Sequence, residues 1–197
     1  MNYVETPTFR DIIKLQILGV RSLDKKTLLR LRPALIEVEN QLTKELNRFS
    51  EDQFSYQKRY QTLRLISRTL NEMEKILTKE FEASAKEYFN FGQEAAEEEI
   101  TAFNGLIAAP TPSIKKTKLS IEKNKFLVNN ARASLATYSA QVRATVSNAI
   151  TQGMLSGRST YDITTKLSRF MDIKKWRLTR IARTESHKIY NLSLIHI

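Results

Sequence analysis

Apolar residues recur along this chain at steps of three and four, the period of a helix that buries one stripe. Leu31, Leu35, Val38, Leu42, Leu46 and Phe49 form one such series. Leu63, Ile66, Leu70, Met73 and Leu77 alternate three and four as in a coiled-coil seam, and Phe81, Ala85, Tyr88 and Phe89 prolong it. The stretch between the two series is short, so the helices are expected to pack antiparallel. Farther on, Leu135, Tyr138, Val142, Val146 and Ile150 share a face, Ile163, Leu167 and Phe170 mark a short helix, and Leu178, Ala182, Glu185 and Ile189 mark the last one. There is no sustained alternation of the strand type and no internal repeat. The pattern predicts an all-α chain with no significant sheet. A long antiparallel helical hairpin occupies residues 1–109, a linker 110–119, and a smaller helical region 120–191.

Capping residues suggest where the helices stop. Thr8 is a candidate N-cap for a short helix over Phe9–Leu18, and Asp24 for the helix DKKTLLRLRPALIEVENQLTKELNRF. Pro33 lies inside that pattern, so the helix is expected to start near it or to bend. Ser50 and Asp52 are placed to cap the next helix. Pro110 and Pro112 block a helix within residues 104–120, and Ser120 then opens another. Asn129 and Asn130 are a candidate break. Gly157 is placed to end that helix in a left-handed cap. Ser159 with Asp162 resembles a capping box, with Asp where Glu is usual. Asp172 is a candidate cap for the final helix.

Composition narrows the class. The 197 residues are 41% hydrophobic and 27% charged, which suits a folded chain with a usable core rather than a disordered one. The absence of Cys removes disulfides, thiolate metal sites and Cys nucleophiles, and suits a reducing compartment. MNYVETPTFRD lacks a basic start followed by an apolar run, so a secretory signal is not expected, and no apolar run is long enough to span a bilayer. The net charge of +11 is unevenly placed. Residues 1–109 carry 16 Lys and Arg against 17 Asp and Glu, whereas residues 110–197 carry 16 against 4. The basic half suits a polyanion: nucleic acid, an acidic protein surface or an anionic membrane. The plainer alternative is a solvated basic surface.

The chemistry-bearing residues are few. His187 stands alone, so zinc has no ligand set, and it reads as a solvated helix residue. Glu97 and Glu99 point to different sides of a helix and make no catalytic pair. No phosphate-cradling glycine loop and no nucleophile elbow is present. No catalytic residue, metal or cofactor is expected in this segment. The dense aromatics Phe54, Tyr56, Tyr60, Phe81, Tyr88, Phe89, Phe91 and Phe103 read as hairpin core. A base-stacking platform needs positive charge beside it, and this half is slightly acidic. Glu185 falls on the apolar face of the last helix. A carboxylate there needs a partner, expected from a cation on the helix ending near Gly153 or from a capping amide. It reads first as an anchor between helices and second as a subunit contact. Lys174, Lys175, Arg177, Arg180, Arg183 and Lys188 crowd that helix. Lys166 and Arg169 precede it, and Lys115, Lys116 and Lys118 lie at the linker. These are candidates for phosphate or acidic-partner contacts without base readout.

The order of features after Gly153 carries a resemblance. Gly153 and Gly157 end one helix, a short helix follows over Thr160–Met171, and a basic helix bears Ala182, Arg183, Thr184 and Glu185, with Tyr190 and Asn191 five and six residues on. This arrangement, over about residues 120–191, resembles the head-morphogenesis family of tailed phages, the minor head proteins similar to protein F of phage Mu. His187 and Lys188 depart from it, where relatives often have small residues. The resemblance implies a minor structural protein of the virion. It would be made in the host bacterial cytoplasm, join the capsid interior near the portal in few copies, and support DNA packaging or retention, with portal or capsid proteins as partners and non-specific duplex DNA as a further one. Some relatives carry a further enzymatic domain, such as an ADP-ribosyltransferase-like one. A head-targeting module of such an enzyme, and an unrelated basic helical module that binds nucleic acid, therefore remain open as alternatives.

The last six residues, Leu192 to Ile197, are encoded under one codon choice by CTG-TCT-CTT-ATA-CAC-ATC, the end of a transposon adapter used in sequencing libraries. They are expected to be adapter, with the natural chain continuing past Asn191.

Overall fold

The computed structural model describes residues 9–47, 56–106 and 118–195. These form four helices and no strand: α1 (Phe9–Asn47), α2 (Tyr56–Leu106), α3 (Lys118–Leu155) and α4 (Thr160–Ile195). The chain is all-α, as its apolar periodicity predicts. Thr8, Phe49, Ser50, Asp52, Phe54, Pro110, Pro112, Lys115 and Lys116, with the caps and linker contacts expected of them, lie outside the described residues.

Three expected boundaries, at Asp24, at Asn129–Asn130 and at Asp172, are absent, and no helix starts at Pro33. α1 runs unbroken through Asp24 and Pro33, α3 through Asn129 and Asn130, and α4 through Asp172. Pro33 has no amide hydrogen and deprives the Leu29 carbonyl of its bond. Both residues are exposed, so the lost bond falls where water can replace it. Asp24 and Asp172 are good caps in isolation, but each carboxylate has partners that hold it inside a helix. Asp24 accepts from Tyr88, and Asp172 accepts from Lys175 one turn on. α4 also continues over Leu192 to Ile195.

The helices divide into two compact units. Unit 1 comprises Met1–Thr27, Glu82–Ala131 and Arg183–Ile197, and unit 2 comprises Leu28–Phe81 and Arg132–Ala182. Each helix supplies a segment to each unit, so the units do not follow the sequential division at 110–119.

Unit 2 is held by the apolar seams. Leu31, Leu35, Val38, Leu42 and Leu46 of α1 are buried with Ile66, Leu70, Met73, Leu77 and Phe81 of α2 and with Leu135, Tyr138, Val142, Val146 and Ile150 of α3. From α4 come Ile163, Leu167, Met171, Leu178 and Ala182. Leu63 and Phe170 are only half-buried, and Met171 takes the core position expected of Phe170. The turn between α3 and α4 is a Schellman motif. The Arg158 amide donates to the Gly153 carbonyl at 3.0 Å and the Gly157 amide to that of Met154 at 3.3 Å. Gly157 takes φ +62°, a conformation that costs an L side chain about 1–2 kcal/mol. Ser159 then accepts from the Asp162 amide at 3.1 Å and donates to its carboxylate at 2.9 Å, starting α4. A Cβ on Gly153 would meet Ile163 Cγ1 at 2.5 Å. The Gly-x-x-x-Gly spacing thus serves two needs, a close approach of α3 to α4 and a left-handed residue four positions later.

Unit 1 has a smaller and more polar interior. Ala85, Tyr88, Phe89, Ala95, Ala96 and Ile189 are buried with Gln16, Asp24, Thr27, Ser84, Gln93, Glu185, Ser186 and Ser193. Gln16 donates to the Ala95 carbonyl at 3.2 Å, Asp24 meets Tyr88, and Lys26 pairs with Glu87 at 3.0 Å. As residue numbers rise in α1 they fall in α2, so these segments are antiparallel. Of the aromatics expected in the core, Phe81, Tyr88 and Phe89 are buried, whereas Tyr60 and Phe103 are exposed.

Candidate functional site

Two arrays bring polar side chains together, one in each unit. The first is the outer face of α4 within unit 2. The segment Thr160–Ala182 buries its apolar residues on one side, which throws Lys166, Arg169, Ile173, Trp176 and Arg180 onto the other at steps of three, four, three and four. Arg177 flanks this stripe and is also exposed. From Lys166 to Arg180 the stripe is about 21 Å long at the rise of an α-helix. Among the described residues, Lys166, Arg169, Arg177 and Arg180 take part in no ion pair. Arg180 lies over the Trp176 ring, 5.4 Å from its centre. Beside Arg169 an open groove of about 520 Å³ is lined by Thr43, Asn47, Tyr161, Thr165 and Ser168.

Two cations expected in this array are engaged within the fold. Lys174 is buried, with its Nζ 4.8 Å from the centre of the Phe170 ring. Burial, helped by the charge of Arg177, holds its ammonium below the ordinary lysine value. Lys175 donates to Glu39 Oε2 at 2.7 Å and to Asp172 Oδ1 at 3.1 Å. The hydrogen bond to Glu39 is the largest cause raising its ammonium above the ordinary value. Ser168 donates to the other oxygen of Glu39 at 2.8 Å, so this carboxylate is engaged within the fold. Of the remaining expected contacts, the backbone of Lys118 lies in the first turn of α3, and Lys188 belongs to unit 1.

The second array centres on Asp24 in unit 1. Its carboxylate accepts from the Tyr88 phenol at 2.6 Å, and His187 Nε2 lies 3.2 and 3.3 Å from its two oxygens. Arg183 Nε is 3.6 Å away. Burial, then the hydrogen bond to Asp24, push the Tyr88 phenol well above its ordinary value. Asp24, Arg183, His187, Tyr190, Asn191 and Arg21 line an open pocket of about 710 Å³. Tyr190 stacks on Phe91 with ring centres 5.8 Å apart and accepts at its carbonyl from Ser193. His187 is therefore a partner of a buried carboxylate rather than a purely solvated residue. Arg183, Tyr190 and Asn191 of the sequence pattern meet at this pocket, while Thr184 is exposed and Glu185 is buried. Lys188 of its own helix lies 3.1 Å from Glu185.

Sequence reasoning missed Asp24, Tyr88 and Trp176. Asp24 lies four before Leu28 and seven before Leu31, so it continues the buried stripe, a signal that its cap propensity masked. Trp176 falls two positions from Lys174 and Leu178, off the apolar face and among cations, and was legible on that ground.

The two arrays differ in what they can do. The α4 face presents exposed charge to solvent and can neutralise phosphates. The Asp24 cluster joins three helices' side chains through internal hydrogen bonds, which is a structural arrangement. Among the described residues no group of three or more His, Asp or Glu is placed to hold a metal ion, and no helix is long and apolar enough to cross a membrane. Comparison with protein-family models, curated proteins and solved structures gives no match to this chain.

Proposed function

We propose that this chain is a minor structural protein of a tailed-phage head. It acts near the portal in capsid assembly and in DNA packaging or retention, and the outer face of α4 contacts duplex DNA without reading sequence. The observation that carries the DNA contact is the set of four exposed cations, Lys166, Arg169, Arg177 and Arg180, on one helix face with no carboxylate paired to them among the described residues. The head role rests on the pattern from Gly153 to Asn191, whose glycines make the Schellman turn and whose Arg183, Tyr190 and Asn191 meet at one pocket. On this reading the protein is made in the host cytoplasm, resides in the capsid interior, is not an enzyme within this segment, and has portal or capsid proteins as partners.

The test is anisotropy of a labelled random-sequence duplex across a salt series. Four phosphate contacts give a slope of log affinity against log salt of about −3.6. Replacing the four cations by Gln should remove most of that slope, with helicity unchanged by circular dichroism. Salt-insensitive binding, or equal binding by the variant, would overturn the DNA contact. A basic helical module with no head role rests on the same four cations. Co-purification with a portal protein when expressed with its flanking genes favours the head reading, and its absence favours the module.

A further inference from the structure

Trp176 and Ile173 leave the phosphate reading incomplete. Both are exposed, at 63% and 65%, and they interrupt the cation stripe at its centre. A duplex offers phosphates to Lys166, Arg169, Arg177 and Arg180, but its bases are already stacked on one another, and an indole gains nothing from them. An unpaired strand offers phosphates and free base faces together, which is the pairing of charge and aromatic surface that single-strand sites use. The Arg180 guanidinium lies over one face of the Trp176 ring, so a base would stack on the other face with a cation close to its phosphate. A membrane fits this face less well. Interfacial helices need a continuous apolar side, and here two apolar residues stand among cations with Asp172 beside them.

We propose that the α4 face takes single-stranded nucleic acid in preference to duplex, with one unpaired base stacked on Trp176. This rests on the reading of α4 as a nucleic-acid face and specifies which strand form it accepts. Trp176 is the chain's single tryptophan, so intrinsic fluorescence reports on this position alone.

The experiment titrates the full chain with a 20-nucleotide oligothymidine and with the matching oligothymidine–oligoadenine duplex at one salt concentration. The single strand is expected to quench the tryptophan and to bind at least roughly fivefold more tightly than the duplex. By anisotropy, Trp176→Ala should weaken single-strand binding by roughly 5- to 100-fold and leave duplex binding within about twofold, while Trp176→Phe retains most of the preference. Equal affinities with unchanged emission would overturn the stacking proposal and leave the phosphate contact standing. No binding to either nucleic acid would overturn both. A blue shift with phosphatidylserine vesicles and none with oligonucleotide would reassign the face to a lipid surface.

Discussion

Unit 1 and unit 2 draw segments from the same four helices, yet they bury different things. Among the described residues unit 2 buries 22 hydrophobic side chains and only three polar ones, Thr62, Ser139 and Lys174. Unit 1 buries nine of each. The contrast extends to the cations of α4. In unit 1 Arg183 and Lys188 pair with Asp24 and Glu185, whereas in unit 2 Lys166, Arg169, Arg177 and Arg180 take part in no ion pair among the described residues. A dense apolar interior needs no cation to hold it and leaves surface charge free for a partner. A buried carboxylate engages the cations within its reach, because an unpaired buried charge is costly. The same helix is therefore a binding face over one stretch and a strut over the next.

The largest effect should come from breaking the apolar side of this contrast. Leu35→Ala removes a fully buried side chain in unit 2 and should lower stability by about 2–5 kcal/mol, read by urea unfolding. A loss under about 1 kcal/mol would mean that the unit 2 core is looser than its burial implies.

Asp24→Ala tests the polar side. It leaves the buried Tyr88 phenol without its acceptor and should cost about 1–3 kcal/mol. Hydrogen exchange should rise in residues 82–106 and 183–195 more than in 28–47. A uniform rise would erase the distinction between the units. Tyr88→Phe sharpens it through pH. The unfolded phenol ionises near its ordinary value of 10.0 while the folded one ionises higher, so the folded state retains a proton that the unfolded state releases. The stability linked to this group is present below pH 10.0 and is lost as pH rises beyond it. The Phe variant should lack that part of the alkaline decline in melting temperature, and an unchanged decline would remove Tyr88 from the account.

The smallest expected change is at the turn. Gly157→Ala should cost about 1–2 kcal/mol because its φ is +62°, with Gly157→Asn milder. A neutral Ala variant would show that the turn relaxes without cost to the packing of Gly153 on Ile163.

The seams through Leu31–Leu46, Ile66–Phe81 and Leu135–Ile150 were legible because burial in unit 2 follows a local period, and periodicity is written in one helix at a time. Gly157 was legible for a similar reason: a left-handed cap is a local conformational demand. The polar node was not. Asp24 and Asp172 carry the local preference of a cap residue, and only partners distant in sequence or one turn away keep them in mid-helix. Tyr88 is 64 residues from Asp24 and His187 is 163, and nothing in the spacing of single residues marks such a pair. The candidate α4 face was half legible. Its cations could be counted, but which were free could not, since Lys174 turns into the protein over Phe170 and Lys175 into Glu39.

By itself the sequence determined that this chain is helical, which faces of its helices are apolar, where its basic charge is concentrated, and that a glycine turn separates α3 from α4. These follow from side-chain chemistry and helical period, which act over a few residues. Only the tertiary structure decided that Asp24 is a buried acceptor rather than a cap, that His187 faces it, and which cations of α4 are left without a carboxylate. Hydrogen-bond and ion-pair partners are chosen by proximity in the folded chain, and leaving a buried group without its partner costs about 1–3 kcal/mol, at least as much as the roughly 1 kcal/mol typical of a helix cap.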